Sequence, residues 1–208
     1  SVDSWSLTPD NYTDGFLKRV KDTGFDALEV GTEVLDHLGD ESKVKDFVKR
    51  IQGFGLEIGA LRSGGTVIEA HHGPANRDKM ERAIRYAGWA GAETVNGALS
   101  APLRYPTDRA DQAGWPKSQD ASKDQMIYFY DELAKVYQGF CDRAADVGVN
   151  VSIEVHQNSP VDNSWSAKLI HGKIDRPNFG IIYEPANLML CGEDYGAGVL
   201  QRLRPHIM

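Results

Sequence analysis

Cysteine is nearly absent from this chain of 208 residues: only Cys141 and Cys191 occur, and neither sits in a Cys-x-x-Cys or Cys/His finger spacing. That excludes a disulfide framework and a structural zinc ribbon, and it fits a reduced, cytoplasmic protein. No stretch reaches the roughly 18 to 20 continuous apolar residues of a membrane helix. The opening "SVDSWSLTPD" has neither the charged nor the apolar region of a signal peptide. Surplus positive charge is missing too. Lys and Arg number 23 against 30 Asp and Glu, and the resulting charge of −7 is the opposite of a nucleic-acid or anionic-membrane footprint. A phosphate-binding glycine turn is also lacking, because the one candidate, "GFGLEIG" (53–59), follows a helix and precedes a strand. A dinucleotide fingerprint needs the reverse order, so these glycines read as a helix stop.

What is present is a chain 41% hydrophobic and 25% charged, enough to bury one sizeable core, so residues 1–208 are taken as a single domain. Its hydrophobic period switches repeatedly between short runs and helical spacing. Strands are expected at 1–7, 25–30, 56–63, 92–100, 150–155 and 178–184. Helices are expected at 10–24, 41–55, 75–91, 121–148, near 163–174 and near 194–204. Residues 101–120, with Tyr105 and Trp115, show no apolar period and form a long loop of the kind that usually carries function.

Such alternation requires parallel strands, since each helix returns the chain to the start of the next strand. An open doubly wound sheet and a (β/α)8 TIM barrel both satisfy it. The barrel is favoured because polar chemistry gathers at the C-terminal strand ends, where barrel active sites sit. Trp5 closes the first expected strand, Glu29 the second, Arg62 the third, Asn96 the fourth, Glu154 and His156 the fifth, and Glu184 the sixth. The chain is therefore expected to hold about the first six β/α units of the barrel and to lack the last two.

The fifth strand carries the densest chemistry. In "VSIEVHQNS" (151–159), alternation sets Ser152, Glu154 and His156 on one face against Val151, Ile153 and Val155 on the other. A buried carboxylate without a partner is costly, so Glu154 should face a cation, a hydrogen-bonding shell or water. Glu184, ahead of Pro185, lies at the same end of the neighbouring strand. Two such carboxylates suit a divalent ion with oxygen ligands, Mn²⁺ before Mg²⁺, Co²⁺ or Zn²⁺. Each also has a plainer reading: Glu154 in a salt bridge, Glu184 as a helix cap, His156 as a hydrogen-bonded loop residue. Glu29, Arg62, Asn96, Asn158 and Asn187 are candidate substrate contacts, and Trp5 either lines the pocket or sits in the core. "EAHHGP" (69–74) looks like a metal pair, but adjacent side chains diverge, so at least one of His71 and His72 is expected to face solvent.

Together, "GFDALEVG", "LRSGG", "IEVH" and "YEPANL" make the chain resemble the xylose isomerase-like TIM-barrel superfamily, the sugar phosphate isomerase/epimerase family. The resemblance implies one divalent metal held by a Glu ending strand 5, an Asp or Glu ending strand 6, a His on strand 7 and a Glu on strand 8. Carried over, the first two are Glu154 and Glu184, the latter longer by a methylene than the commoner Asp. In an isomerase or epimerase acting on a sugar or sugar-like hydroxy-ketone the resemblance makes the two metal-bound glutamates the acid/base pair, Glu154 being one of them, whereas in the lyase reading below Glu154 and His156 would supply ligand and base. Two other readings stay open. One is a C-glycoside deglycosidase, a lyase on a 3-oxo glycoside that works with a smaller partner subunit; the other is a non-catalytic binding subunit. The endonuclease branch would need more strand-end histidines and a basic face, so no nucleic-acid partner is expected. The expected partners are a sugar or glycoside and further subunits, in a homo-oligomer or with the small subunit.

Overall fold

In the structure, a computed structural model, residues 7–68, 72–98, 123–157 and 159–208 are described. The expected strand at 1–7, Trp5, His71, the loop 101–120 with Tyr105 and Trp115, and Asn158 lie outside these residues, apart from Leu7. Five parallel strands form one sheet: β1 (Ala27–Gly31), β2 (Glu57–Arg62), β3 (Thr94–Ala98), β4 (Asn150–Glu154) and β5 (Phe179–Ile182). They match the second to sixth strands expected from the sequence.

Their spatial order is β1-β2-β3-β4-β5, the order of the chain itself. A doubly wound sheet would reverse direction partway across; a barrel wall never does. One lateral row of residues, Val30, Leu61, Val95, Val151 and Phe179, is buried from edge to edge. The next row, Gly31, Arg62, Asn96, Ser152 and Gly180, points to the opposite face because side chains alternate along a strand.

The buried face is covered by helices whose apolar residues recur at helical spacing. Between β1 and β2 lies α2 (Thr32–Asp36), then α3 (Glu41–Gln52), which buries Val44, Phe47, Val48 and Ile51. Asp40 starts α3 by accepting a hydrogen bond from the Lys43 N–H at 3.0 Å, and Gly53 ends it, as the helix-stop reading of "GFGLEIG" requires. Before β1 comes α1 (Asp14–Asp22). After β2 and β3 come α4 (Gly73–Ala90) and α5 (Lys123–Ala145), the latter carrying the buried Tyr137 and Phe140. α6 (Ser164–Ile174) follows β4, and α7 (Pro185–Leu190) and α8 (Ala197–Leu203) follow β5.

Two helices, α2 and α7, were not among the expected elements; both are short, α2 beginning directly after β1 and α7 two residues after the end of β5. β5 stops at Ile182, so Glu184 belongs to the start of α7 rather than to the strand. Beyond α8, Ile207 pairs in parallel with Ile181 and the Met208 N–H donates to the Ile181 carbonyl at 3.3 Å.

Candidate functional site

The polar strand ends converge because the strands are parallel and in register. Ser152 and Glu154 alternate with fully buried Val151, Ile153 and Val155, which places Glu154 on the inner face at the rim. One Glu154 oxygen, Oε1, accepts from the Asn187 amide at 3.1 Å, and the same amide donates to the Val155 carbonyl at 2.9 Å. Asn187 is itself buried in α7, so its side chain is spent on holding the end of β4.

Burial pushes the Glu154 carboxyl above its ordinary range. His156 pulls it back, the charges of Glu184 and Glu29 push it further up, and the Asn187 hydrogen bond pulls it down. Among the described residues, no Lys or Arg forms an ion pair with Glu154 or Glu184. The plain salt-bridge reading of Glu154 therefore has no partner there.

Glu184 does cap α7: its Oε1 accepts from the Ala186 N–H at 2.9 Å. The cap engages that oxygen and leaves Oε2 for another partner. His156 is tied down through Nδ1, 2.7 Å from the Gln157 carbonyl oxygen, and its backbone N–H donates to the Val161 carbonyl at 2.9 Å. Since a carbonyl only accepts, this contact puts a proton on Nδ1, so that in the neutral ring the lone pair is on Nε2.

Glu29, Arg62 and Asn96 form a second polar group on β1, β2 and β3. The Asn96 amide donates to Glu29 Oε2 at 2.8 Å, and Arg62 Nε lies 3.7 Å from Glu29 Oε1. The backbone beneath is braced: Thr32 Oγ1 donates to the Arg62 carbonyl at 2.8 Å, and the Ser63 N–H to the Asn96 carbonyl at 2.7 Å. Tyr12 adjoins this group, its hydroxyl pushed above its ordinary range by burial, with Arg62 pulling down and Glu29 pushing up. Sequence reading had not singled out Tyr12, because nothing in "TPDNYTDG" distinguishes a strand-end tyrosine from a loop one. Ser152, between the two groups, is 1% exposed, and its hydroxyl has no hydrogen-bond partner among the described residues.

The structure thus brings together Glu154, His156, Glu184 and Asn187 at one place, and Glu29, Arg62 and Asn96 beside it. Among the described residues, no group of three or more His, Cys, Asp and Glu side chains is arranged to hold a metal ion. Glu154 and Glu184 carry carboxylate oxygens, donors of the kind hard cations take.

The chain belongs to the xylose isomerase-like TIM barrel family, which it matches over residues 17–207. Solved structures agree on the fold. A D-psicose 3-epimerase determined in the presence of D-fructose superposes with a TM-score of 0.74 at 17% identity, covering 98% of this chain and 66% of its own. A probable 3-DHS dehydratase from Bacillus anthracis gives 0.71 at 18% identity, covering 93% and 65%. A xylose isomerase-like protein from Mycobacterium smegmatis in complex with magnesium gives 0.69 at 16%, covering 97% and 65%. This chain therefore spans about two-thirds of the length of the proteins it resembles. No curated protein matches it in sequence. Among the described residues, no helix is long and apolar enough to cross a membrane.

Proposed function

We propose that the protein is a divalent-metal-dependent isomerase or epimerase that removes a proton next to the carbonyl of a sugar or sugar-like hydroxy-ketone. One observation carries this reading: the half-buried Glu154 carboxyl is pressed upward by burial and by the like charges of Glu184 and Glu29, and the charge that pulls it back is that of His156, with no Lys or Arg ion pair to Glu154 or Glu184 among the described residues. Like charges brought together at a barrel rim repel, and a shared cation or a proton kept on one carboxyl relieves that repulsion beyond what His156 and Asn187 supply. Either outcome is useful to proton-transfer chemistry.

Glu154 and Glu184 would hold the ion; their oxygen donors suit Mn²⁺ or Mg²⁺ better than Co²⁺ or Zn²⁺, and Mn²⁺ is the ion we name first. When bound, such an ion polarises a carbonyl and steadies the charge that develops on its oxygen. This chain's own residues then do the rest. Asn187 engages Glu154 through Oε1, which leaves Oε2 for the ion or substrate, while neutral His156 would offer the lone pair of Nε2 as a proton acceptor. The neighbouring epimerase and probable dehydratase share this fold and support sugar-type chemistry at the level of the family. The two free cysteines support a reducing, cytoplasmic setting, and we place the protein in an oligomer, either of its own copies or with a smaller subunit.

The test is solvent-deuterium exchange. With Mn²⁺ present, a panel of ketohexoses incubated in D₂O should gain deuterium at a carbon next to the carbonyl. Glu154→Gln and Glu184→Gln should each slow that exchange by about 100-fold or more. Exchange that is absent across the panel, or unchanged in both variants, contradicts the proposal.

A further inference from the structure

Asn187 reaches Glu154 from α7, and Glu184 caps the same helix, so the site depends on where α7 lies. We infer that Glu193, in the turn between α7 and α8, is a positioning residue: it clamps the end of α7 to the start of α6 and thereby sets the hold of Asn187 on Glu154. The inference deepens the proposed function, and its catalytic consequence rests on that reading.

α7 has six residues, too few for a helix to keep its own place. Only Asn187 and Leu188 of it are buried, while Met189 and Leu190 are exposed. At its end Gly192 takes a left-handed φ of 75° and turns the chain back. The Gly192 N–H then donates to the Met189 carbonyl and the Glu193 N–H to the Leu188 carbonyl, each at 3.0 Å. Glycine makes that reversal without strain, and it fastens the Glu193 backbone to the last turn of α7.

The Glu193 side chain is fastened to α6 instead. Its Oε2 accepts from the Ser164 N–H at 2.7 Å, and its Oε1 accepts from the Ser164 hydroxyl. Ser164 is the buried first residue of α6, a helix anchored in the core through Ala167, Ile170 and Ile174. A carboxylate meets both donors at once and carries the charge that a helix N-terminus favours. Arg202 of α8 adds a contact to Oε1 at 3.4 Å, and the Glu193 side chain is only 20% exposed. Beside the clamp, the Tyr183 hydroxyl ahead of α7 donates to the Tyr195 carbonyl beyond it, closing the segment into a loop. From the last turn the constraint passes to Asn187, whose carbonyl accepts the Cys191 N–H at 3.0 Å and whose amide holds both Glu154 and the Val155 carbonyl.

The test compares the full chain as wild type, Glu193→Ala, Ser164→Ala and Glu193→Gln. Glutamine keeps the clamp, since its oxygen accepts the Ser164 N–H and its amide donates to the hydroxyl. The readout is the Asn187 side-chain amide in heteronuclear NMR, a group that a mere cap of α6 would leave untouched. Hydrogen exchange of that amide should rise about tenfold in Glu193→Ala, by a smaller factor in Ser164→Ala, and return to the wild-type rate in Glu193→Gln. Deuterium exchange into a ketohexose should follow, with kcat about tenfold lower in Glu193→Ala, KM little changed, and recovery in Glu193→Gln. Ser164→Ala loses only the hydroxyl donor and decides the matter if circular dichroism shows Glu193→Ala unfolded. An Asn187 amide that exchanges at the wild-type rate in the folded alanine variants, or as fast in Glu193→Gln as in Glu193→Ala, overturns the inference. If wild type moves no deuterium while the Asn187 pattern holds, the positioning role stands and the isomerase reading falls.

Discussion

At the residue scale, Glu154 ties stability to chemistry. Burial raises its pKa in the folded chain above its unfolded value, so its contribution to stability is complete below the ordinary carboxylate range and is lost as pH rises through the folded value. Glutamine mimics the protonated form. Glu154→Gln should therefore melt higher than wild type at pH 7, by on the order of 1 kcal/mol, with the gap closing below about pH 4. A variant less stable than wild type at pH 7 would mean that Glu154 is held by favourable partners, not by a site awaiting a cation. Asn187→Ala should do the opposite. It strips the donor from both Glu154 and the buried Val155 carbonyl, and chemical denaturation should show a loss of about 1–3 kcal/mol. The carboxylates and histidine of the site were legible in "VSIEVHQNS" and "YEPANL" because alternation on a strand decides facing. The double engagement of Asn187 was not, since it depends on where α7 sets its first turn beside β4.

At the element scale, the sheet and the long helices were legible from hydrophobic period, and the short helices were not. A five-residue helix such as α2 and a six-residue one such as α7 are too brief to show a 3.6 period. Their signal lies in the caps: Glu184 and Pro185 are N-cap and N1 of α7, the arrangement that also moves Glu184 off the strand. Close approach matters at Gly97 of β3, where a methyl group would overlap the Ser63 carbonyl oxygen of the neighbouring loop. That atom is backbone and cannot step aside cheaply. Gly97→Ala should cost about 1–3 kcal/mol by denaturant titration, and wild-type stability would show that the two strand ends can part. Farther along, the ring centroids of His171 on α6 and His206 stand 4.4 Å apart, and burial followed by the charge of His206 holds His171 below its ordinary value, against the pull of the Phe179 carbonyl and Asp175. A lowered base pKa means the opened state binds more protons, so protection is present above about pH 6.5 and falls as pH drops below it. Amide exchange at Ile207 and Met208, corrected for the intrinsic rate, should accelerate over that interval and lose its pH dependence in His171→Gln.

At the scale of the whole molecule, the choice between a barrel wall and a doubly wound sheet turned on where polar residues fall, and the sequential strand order agrees with the barrel. Composition alone could not have decided it, since both architectures share the same alternation of strand and helix. The formal charge of −7 bears on partners instead. No retention of duplex DNA is expected in a gel-shift assay at about 0.1 M salt, because a surface with excess carboxylate releases few phosphate counterions. Shifted bands at micromolar protein would return the nucleic-acid branch of the family to consideration. The central claim is that Glu154 and Glu184 share a divalent cation, and metal analysis of the full-length protein beside Glu154→Gln and Glu184→Gln addresses it most directly. Near-stoichiometric Mn, Mg, Co or Zn in wild type, lost from both variants while circular dichroism stays unchanged, is the expected result. Wild type that takes up no metal under any loading, or variants that keep it, would contradict the claim.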